Sequence, residues 1–382
     1  MTATEARPVG VLLVCESLRV SGGVERFVCQ LANALVARGL SVTLGNVDAE
    51  RGDVVYALDP GVRVIAAGLR PAAAADERPG LVRSWRILRT RFRVGRALAR
   101  LVRAAAPDVV VLNGLVTACS VLAVAPRLAS SAICCDHNHF GARSRWWRWL
   151  RARLYPRVAA VVSLSEADAA RFGALNANTR VIANASALSA AVPGQPTAGR
   201  VLAVGRHQAQ KGFDLLLRAW VEVAAACPSA RLRIVGDGPL TDGLRRLAGD
   251  LGVEASVDWT APTRAIEAMY REAALFVLSS RYEGMPLALL EAQALGVPAV
   301  AFDCPTGPRE IISNETGIVV APGDVAALAR AIVSLLGDEP RRAAMARAAI
   351  ARSDTRFGLR QHVDAWAGLI AEVVARGRAS PA

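Results

Sequence analysis

A single lysine stands among the 46 lysine and arginine residues of this 382-residue chain. It is Lys211, which follows Arg206 in the stretch GRHQAQKGFD of Gly205–Asp214. Lysine carries a compact charge with three rotating donors, whereas arginine carries a wide planar fork. A position that keeps lysine, while arginine fills the other basic positions, indicates a buried anion at close range, such as a phosphate oxygen. The alternative is chance survival of a lysine at the surface.

Two glutamates, Glu283 and Glu291, bound the stretch EGMPLALLE. Proline suits the first turn of a helix, so Glu283 is expected in a loop and Glu291 more than one turn into the helix, among apolar residues. A buried carboxylate needs a partner that offsets its desolvation, and a sugar diol is suitable because one carboxylate accepts two hydroxyl hydrogens. The residues at the start of this helix are expected to hold an anion or sugar hydroxyls: Gly284, Met285, Pro286 and Leu287. The alternative is one salt-bridged glutamate and one exposed glutamate.

Two of the four histidines, His137 and His139, cluster after a predicted strand in the first half of the chain. A lone histidine is more often structural than catalytic, but the clustering favours a functional role for His137, and the choice between the two stays open. Gly22 and Gly23 follow another predicted strand. Without a Cβ atom they allow the backbone to approach a ligand closely, although a simple tight turn would also explain them.

Short β-branched runs alternate with helical patterns along the chain, which predicts an α/β protein with parallel sheets and helices on both faces. The predicted strands are Gly10–Cys15, Ser41–Gly45, Val62–Ala66, Asp108–Leu112, Ala132–Cys135, Ala159–Leu164, Arg200–Val204, Arg231–Val235, Val257–Trp259, Ala274–Leu278 and Ala299–Phe302.

A proline- and glycine-rich run at 189–199 predicts a linker. It divides the chain into two doubly wound domains, 1–188 and 200–355, followed by a C-terminal helix within 356–382 that could cross back to the first domain. Ligands of such sheets bind at the carboxyl ends of the strands. Two facing domains are therefore expected to place the site in the cleft between them.

The composition, 53% hydrophobic and 21% charged, is that of a folded protein with sizeable cores. The seven cysteines form no CxxC pair, so we expect buried, reduced thiols of a cytoplasmic protein and no zinc site. The apolar stretch Val109–Pro126 is interpreted as a strand, a turn and a packed helix over Leu115–Leu128, not as a membrane span.

Net charge is +13, and the segment Arg143–Arg157 combines six arginines with Trp146, Trp147, Trp149 and Tyr155. Arginine with tryptophan suits a peripheral position on an anionic membrane surface. The alternative is a solvated helix face whose aromatic residues pack inward. Arg83–Arg103 has a similar pattern, and neither segment carries a nucleic-acid recognition motif, so no nucleic-acid partner is expected.

These motifs together resemble the retaining glycosyltransferases of the glycogen synthase-like family, glycosyltransferase family 4, with the two-domain GT-B fold. Glu283 and Glu291 have the spacing of its E-x7-E signature, and VGRHQAQKGFDLLLRAW of Val204–Trp220 is similar to a second signature. IVGDGP of Ile234–Pro239 matches a further segment, and GGVE from Gly22 onward matches the N-terminal glycine loop. FDCPTGPREII, which starts at Phe302, is especially similar to bacterial exopolysaccharide and O-antigen transferases.

The resemblance implies two Rossmann-like domains and transfer of a hexose, with retained configuration, from a nucleotide sugar. UDP is favoured over GDP, and the acceptor is expected to be a lipid-linked glycan of cell-surface polysaccharide synthesis. A soluble natural product or other small-molecule acceptor stays open.

The family's roles carry over residue by residue. Arg206 and Lys211 would hold the diphosphate, and Glu291 would bind the ribose hydroxyls. Glu283 would contact the transferred sugar with the help of the following amides, and His137 would lie near that sugar. Gly22 and Gly23 would lie beside the phosphate or the acceptor, and Asp136 could position hydroxyls.

The chain departs from the family where Ala183 and Ala185 replace usual prolines. No Asp-x-Asp pair is present to hold a divalent ion on the diphosphate. We therefore expect Arg206 and Lys211 to replace the metal electrostatically, with no metal and no cofactor required.

Two other classes of protein compete with this interpretation. A nicotinamide-dependent oxidoreductase needs G-x-G-x-x-G after a strand, and neither Gly22-Gly23 nor Val235–Pro239 fits that pattern. A non-catalytic basic protein that binds membranes or nucleic acid would leave the motifs around Lys211 and Glu283 unexplained.

Overall fold

The computed structural model describes residues 7–20, 22–69 and 81–379, of which 81–87 are described as helix backbone only. Trp85 and the first arginines of the Arg83–Arg103 segment therefore lie outside the described side chains. The chain forms two compact units, Met1–Ile182 with Val363–Ala382, and Ala183–His362. The first division thus falls before the expected linker, and 189–199, which forms no helix or strand, belongs to the second unit. The second division falls inside the C-terminal helix, whose residues from Val363 onward belong to the first unit.

Each unit is built on one parallel sheet. The strands of the first are β1 Gly10–Val14, β2 Ser41–Asn46, β3 Arg63–Ala66, β4 Val109–Asn113, β5 Ala132–Cys135, β6 Ala160–Ser163 and β7 Thr179–Val181, in the order β3-β2-β1-β4-β5-β6-β7. The strands of the second are β8 Arg200–Val204, β9 Arg231–Val235, β10 Val257–Thr260, β11 Leu275–Leu278, β12 Ala299–Phe302 and β13 Gly317–Val320, in the order β10-β9-β8-β11-β12-β13. The predicted α/β class with doubly wound parallel sheets is confirmed.

Helices follow most of the strands. They are α1 Gly23–Val36, α2 Leu81–Ala105, α3 Leu115–Val124, α4 Arg145–Leu154, α5 Glu166–Gly173, α6 Phe213–Ala226, α7 Thr241–Asp250, α8 Ile266–Glu272, α9 Leu287–Ala294, α10 Pro308–Ile311, α11 Val325–Leu336, α12 Glu339–Arg356 and α13 Leu359–Ala379. The predicted helix Leu115–Leu128 is too long, because Pro126 begins a separate 3-10 turn after α3.

The two strands that the sequence did not reveal, β7 and β13, each form one edge of their sheet, whereas the opposite edges, β3 and β10, were predicted. Both are short, and β7 has no fully buried residue. A central strand such as β4 is buried along its whole length and reads as a continuous apolar run. Neither β7 nor β13 has such a run, and one side of each is left uncovered.

The interior of each unit bears out the expectation of sizeable cores. All seven cysteines are free thiols, and six of them are buried. Burial raises the pKa of Cys29 and Cys304 to about 12, so these thiols are inert at neutral pH. Val109–Pro126 is β4 and α3, as predicted, and among the described residues no helix is both long enough and apolar enough for a membrane span.

In each sheet the strand order reverses at one point. This point lies between β1 and β4 in the first sheet and between β8 and β11 in the second. Parallel strands end at the same edge, and the reversal opens a crevice between the diverging loops, which is where doubly wound sheets bind ligands. The loops that follow these four strands are therefore the places where a site is expected.

Candidate functional site

The loop after β8 carries Arg206 and Lys211, and Gly212 ends it in a left-handed conformation with φ 61°. A Cβ atom on Gly212 would lie 2.1 Å from the carbonyl oxygen of Ser279, so only glycine allows the loops after β8 and β11 to meet here. Ser279 Oγ donates to the Lys211 carbonyl at 2.9 Å, which ties the two loops together. The reversal point of the second sheet is thus assembled from both predicted motifs.

The Lys211 ammonium forms an ion pair with Glu283, with Nζ 2.7 Å from Oε1. Ser280 Oγ donates to the same oxygen at 2.6 Å. The aliphatic stem of Lys211 lies over Gly205, where an added Cβ would be 3.1 Å from three of its carbon atoms. An ammonium has three donors, so the ion pair uses one and leaves two for an anion.

Glu283 is anchored by its own backbone as well as by its side chain. Thr306 Oγ1 donates to the Glu283 carbonyl at 2.8 Å, which adds the loop after β12 to the site. Glu283 is 5% exposed. Among the described residues, the hydrogen bonds and the ion pair to its side chain reach Oε1, so Oε2 is the oxygen left to accept from a ligand hydroxyl.

The start of α9 lies beside Glu283, with Pro286 as its N-cap residue. Proline has no N–H, so the expectation that Pro286 contributes a donor amide is wrong, and only Gly284, Met285 and Leu287 can supply amides. Asn184 Nδ2 donates to the Met285 carbonyl at 3.0 Å and is buried. Asn184 was not among the residues predicted from the sequence, although it lies between Ala183 and Ala185.

Glu291 lies on α9 and is 1% exposed. The Tyr270 hydroxyl donates to its Oε2 at 3.0 Å, and Tyr270 is itself fully buried. The exposed-face alternative for Glu291 is wrong. The carboxylate is held in a fixed orientation, as a ligand for hydroxyl groups must be.

Arg206 is half-buried and directly follows Gly205 in the loop after β8. Its neighbour His207 is 1% exposed, and His207 Nδ1 lies 2.8 Å from Thr241 Oγ1. The His207 amide also donates to the Asp237 carbonyl at 2.9 Å. His207 therefore joins the loops after β8 and β9 and fixes the backbone that precedes Lys211.

In the first unit, α1 begins at Gly23, with Gly22 as its N-cap in an extended conformation. Neither of these glycines has a positive φ, so the backbone conformation here does not itself require glycine. A Cβ atom on Gly23 would meet nothing within 4 Å. The open space fits an approaching ligand at a helix start.

His137 lies after β5, and its Nε2 is 2.9 Å from Asn113 Oδ1. Asn113 Nδ2 donates to the Val14 carbonyl at 3.1 Å, which fixes the orientation of the amide. Nε2 of His137 is therefore the protonated nitrogen, and Nδ1 is left as an acceptor. The Phe27 ring packs against the imidazole with centroids 4.6 Å apart. The sequence indicated Asn113 only as a turn residue, although it is a polar residue at the carboxyl end of an apolar strand.

His139 and Asp136 have structural partners. His139 Nδ1 accepts from the Gly141 amide at 3.2 Å, inside its own turn. Asp136 is bonded through both carboxylate oxygens, to Arg151 at 3.1 Å and to the Tyr155 hydroxyl at 2.6 Å. Asp136 therefore does not position substrate hydroxyls, contrary to the expectation.

Burial lowers the pKa of His137 to about 3, so the imidazole gains a proton only in strong acid and is neutral near pH 7. We expect the pH profile of the activity that this site supports to show no ionisation of His137 between about pH 5.5 and about pH 8.5. His137→Gln should lower the rate across this range without changing the shape of the profile, with His139→Gln as the matched control. A wild-type limb near pH 6.5 that His137→Gln abolishes would contradict this assignment.

The segment Arg143–Arg157 forms α4 and its flanks, and it does not have one uniform face. Trp146 and Trp149 are 52% and 48% exposed, and their rings stack with centroids 5.0 Å apart. Trp147 packs against the core and Arg151 is 1% exposed. The prediction of an outward aromatic and basic surface holds for two tryptophans, whereas the inward-packing alternative holds for the third.

Two family models match the chain. The model described as "Glycosyl transferase 4-like domain" matches residues 22–185, and the model described as "Glycosyl transferases group 1" matches residues 198–338. The matches cover the loops with Gly22, His137, Lys211 and Glu283.

Among curated proteins, an amylovoran biosynthesis glycosyltransferase of Erwinia amylovora is 28% identical, with 81% of this chain and 85% of that protein covered. A Streptomyces coelicolor protein named as an exopolysaccharide phosphotransferase is 42% identical over 44% of this chain, which spans only 18% of that longer protein.

Two solved structures share the fold. A sucrose-phosphate synthase from Thermosynechococcus elongatus is 19% identical with a TM-score of 0.81, and 96% of this chain and all of that chain are covered. The Anabaena protein HepE in complex with UDP and glucose is 19% identical with a TM-score of 0.74, and 95% of this chain and 99% of that chain are covered.

Proposed function

Because this chain belongs to the group 1 (family 4-like) glycosyltransferases with the GT-B fold, we propose that it is a retaining, metal-independent hexosyltransferase. Its donor is a nucleoside diphosphate sugar, UDP-linked rather than GDP-linked. Its acceptor is a hydroxyl group of a lipid-linked glycan in cell-surface polysaccharide synthesis. The observation that carries the proposal is the Lys211–Glu283 ion pair at the reversal point of the second sheet, 2.7 Å long.

The donor is bound by the second unit. Arg206 and the two remaining donors of Lys211 bind the diphosphate, and the amides of Gly284, Met285 and Leu287 add neutral donors at the start of α9. Glu291 accepts from the ribose hydroxyls. Cations placed on the diphosphate stabilise the charge that develops as the sugar leaves, which is the form of catalysis that contributes most in sites of this kind.

The sugar is oriented by acceptors. Glu283 Oε2 accepts from a sugar hydroxyl, since Oε1 is engaged by Lys211 and Ser280. His137 is neutral and offers Nδ1 as a second acceptor. Neither group has to remove a proton, because in a front-face transfer the departing phosphate oxygen takes the proton of the acceptor hydroxyl. Attack on the same face explains why the anomeric configuration would be retained.

No metal ion enters this scheme, since Arg206 and Lys211 supply the positive charge on the diphosphate. The test is a screen of UDP- and GDP-hexoses for nucleotide release and for transfer to lipid-linked acceptors, in excess EDTA. Full activity in EDTA, with the product anomer that matches the donor, supports the proposal. Activity that returns only with a divalent ion, or an inverted product, overturns the corresponding part of it.

The acceptor class is supported by the surface of α4 and by the polysaccharide enzymes among the relatives. We define the Trp–Arg face as Arg145, Trp146, Arg148, Trp149 and Arg153, all of which are exposed. Arg153 lies over the Trp149 ring at 5.4 Å. Paired tryptophans among arginines fit the headgroup region of an anionic bilayer, so we place the enzyme as a peripheral protein on the cytoplasmic face of the membrane.

Replacing Trp146 and Trp149 together with serine is expected to weaken binding to vesicles that contain phosphatidylglycerol about tenfold or more, because two half-exposed rings no longer enter the interface. Co-sedimentation measures the effect, and Val221→Ser, at an exposed position of the second unit, is the matched control. Unchanged vesicle binding would contradict the proposed membrane position and favour the soluble small-molecule acceptor.

A further inference from the structure

Arg151 lies on α4, yet it is 1% exposed. Its Nη1 donates to Asp136 Oδ2 at 3.1 Å, and its Nη2 donates to the Phe140 carbonyl at 2.8 Å. One guanidinium therefore donates hydrogen bonds to both ends of the segment Asp136–Phe140. The planar fork of arginine suits two acceptors that lie apart, which a lysine could not reach together.

Tyr155, which directly follows α4, completes the contact. Its hydroxyl donates to Asp136 Oδ1 at 2.6 Å, and its side chain is fully buried. Both oxygens of Asp136 are thus fixed, one by α4 and the other by the residue that follows it. His137, the next residue, begins from a backbone position that cannot shift without breaking these bonds.

The far end of the segment is also fixed. The Arg151 guanidinium lies over the Phe140 ring at 3.6 Å, and the Phe140 amide donates to Asp168 Oδ2 at 2.6 Å. Asp168 lies on α5. The loop with His137 therefore has anchors from two helices, whereas the contacts of the imidazole itself, with Asn113 and Phe27, set only the direction of the ring.

We propose that Arg151 and Tyr155 are positioning residues. They act through Asp136 to hold the His137 backbone in the position that sugar transfer requires. This proposal rests on the proposed function, because it concerns the sugar-transfer step. Neither residue contacts substrate. A misplacement of about 1 Å in a group that positions the sugar costs about 10²-fold in rate, so the contacts that hold the His137 backbone control turnover without changing nucleotide affinity.

The test is Tyr155→Phe, which keeps the buried ring and removes only the hydroxyl. With the sugar nucleotide that the screen selects as the probe, kcat for nucleotide release is expected to fall about tenfold, while KM for the donor and Kd for the nucleotide stay unchanged. Arg151→Ala should lower kcat about 10²-fold. Added guanidinium should restore part of kcat by entering the space that the side chain leaves.

The matched control is Leu154→Ala, which weakens packing of α4 against the core without touching Asp136. It should lower Tm and leave kcat near the wild-type value. A Tyr155→Phe enzyme with wild-type kcat, or a Leu154→Ala enzyme with the same loss of kcat, would overturn this positioning role while leaving the proposed function intact. A wild-type enzyme that releases nucleotide from no sugar nucleotide would overturn both.

Discussion

Lys211→Arg is expected to lower kcat/KM for the sugar nucleotide roughly 10²-fold or more, although the charge is kept. The Lys211 stem lies against Gly205, where a Cβ would be in tight contact with it, and its ammonium is 2.7 Å from Glu283. A guanidinium is longer and planar, so it would meet Glu283 in a different geometry and could no longer place its charge on the departing diphosphate. Steady-state measurement of nucleotide release gives the value.

The matched control is Arg218→Lys, the reverse exchange at an exposed position of α6. It should leave kcat/KM and Tm unchanged. Comparable activity in Lys211→Arg and Arg218→Lys would show that any cation serves at position 211. The single lysine would then have been kept by chance, and the site would not require it.

Glu291→Ala is expected to raise Kd for the nucleotide about 10- to 100-fold, since a hydrogen bond to a charged group contributes about 1.5 to 3 kcal/mol. Tyr270→Phe should have a smaller effect in the same direction, because it removes only the hydroxyl that orients Glu291 Oε2 at 3.0 Å. Isothermal titration measures both.

The ribose assignment for Glu291 is tested by a thermodynamic cycle with a nucleotide that lacks a ribose hydroxyl. Wild type should lose affinity for 2′-deoxy-UDP relative to UDP, whereas Glu291→Ala should bind both alike, since its partner for that hydroxyl is gone. An equal loss in both proteins would mean that Glu291 stabilises α9 and does not bind the ribose.

The sequence was sufficient for the central elements of the fold and for the motifs at their ends. Strands such as β4 and β8 are buried runs with a clear apolar pattern, and the loops with Lys211 and Glu283 directly follow predicted strands. The strands β7 and β13, of three and four residues with at most one fully buried residue each, were not predicted.

Partners far apart in the sequence could not be predicted. Asn113 holds His137 across 24 positions, and Asn184 reaches the Met285 carbonyl across 101. Arg151 looked like one of six surface arginines, yet it is the buried partner of Asp136. Such contacts depend on how helices and loops pack together, and single-sequence patterns report only the period and polarity of one element.

The measurement that tests the central claim most directly is isothermal titration of the protein with UDP, GDP and NADH, in EDTA. We predict micromolar binding of UDP, weaker binding of GDP, no binding of NADH, and UDP binding about 10- to 100-fold weaker in Glu291→Ala. A folded protein that binds none of these nucleotides, or one that binds NADH alone, would contradict the assignment of a nucleotide-sugar site to Arg206, Lys211, Glu283 and Glu291.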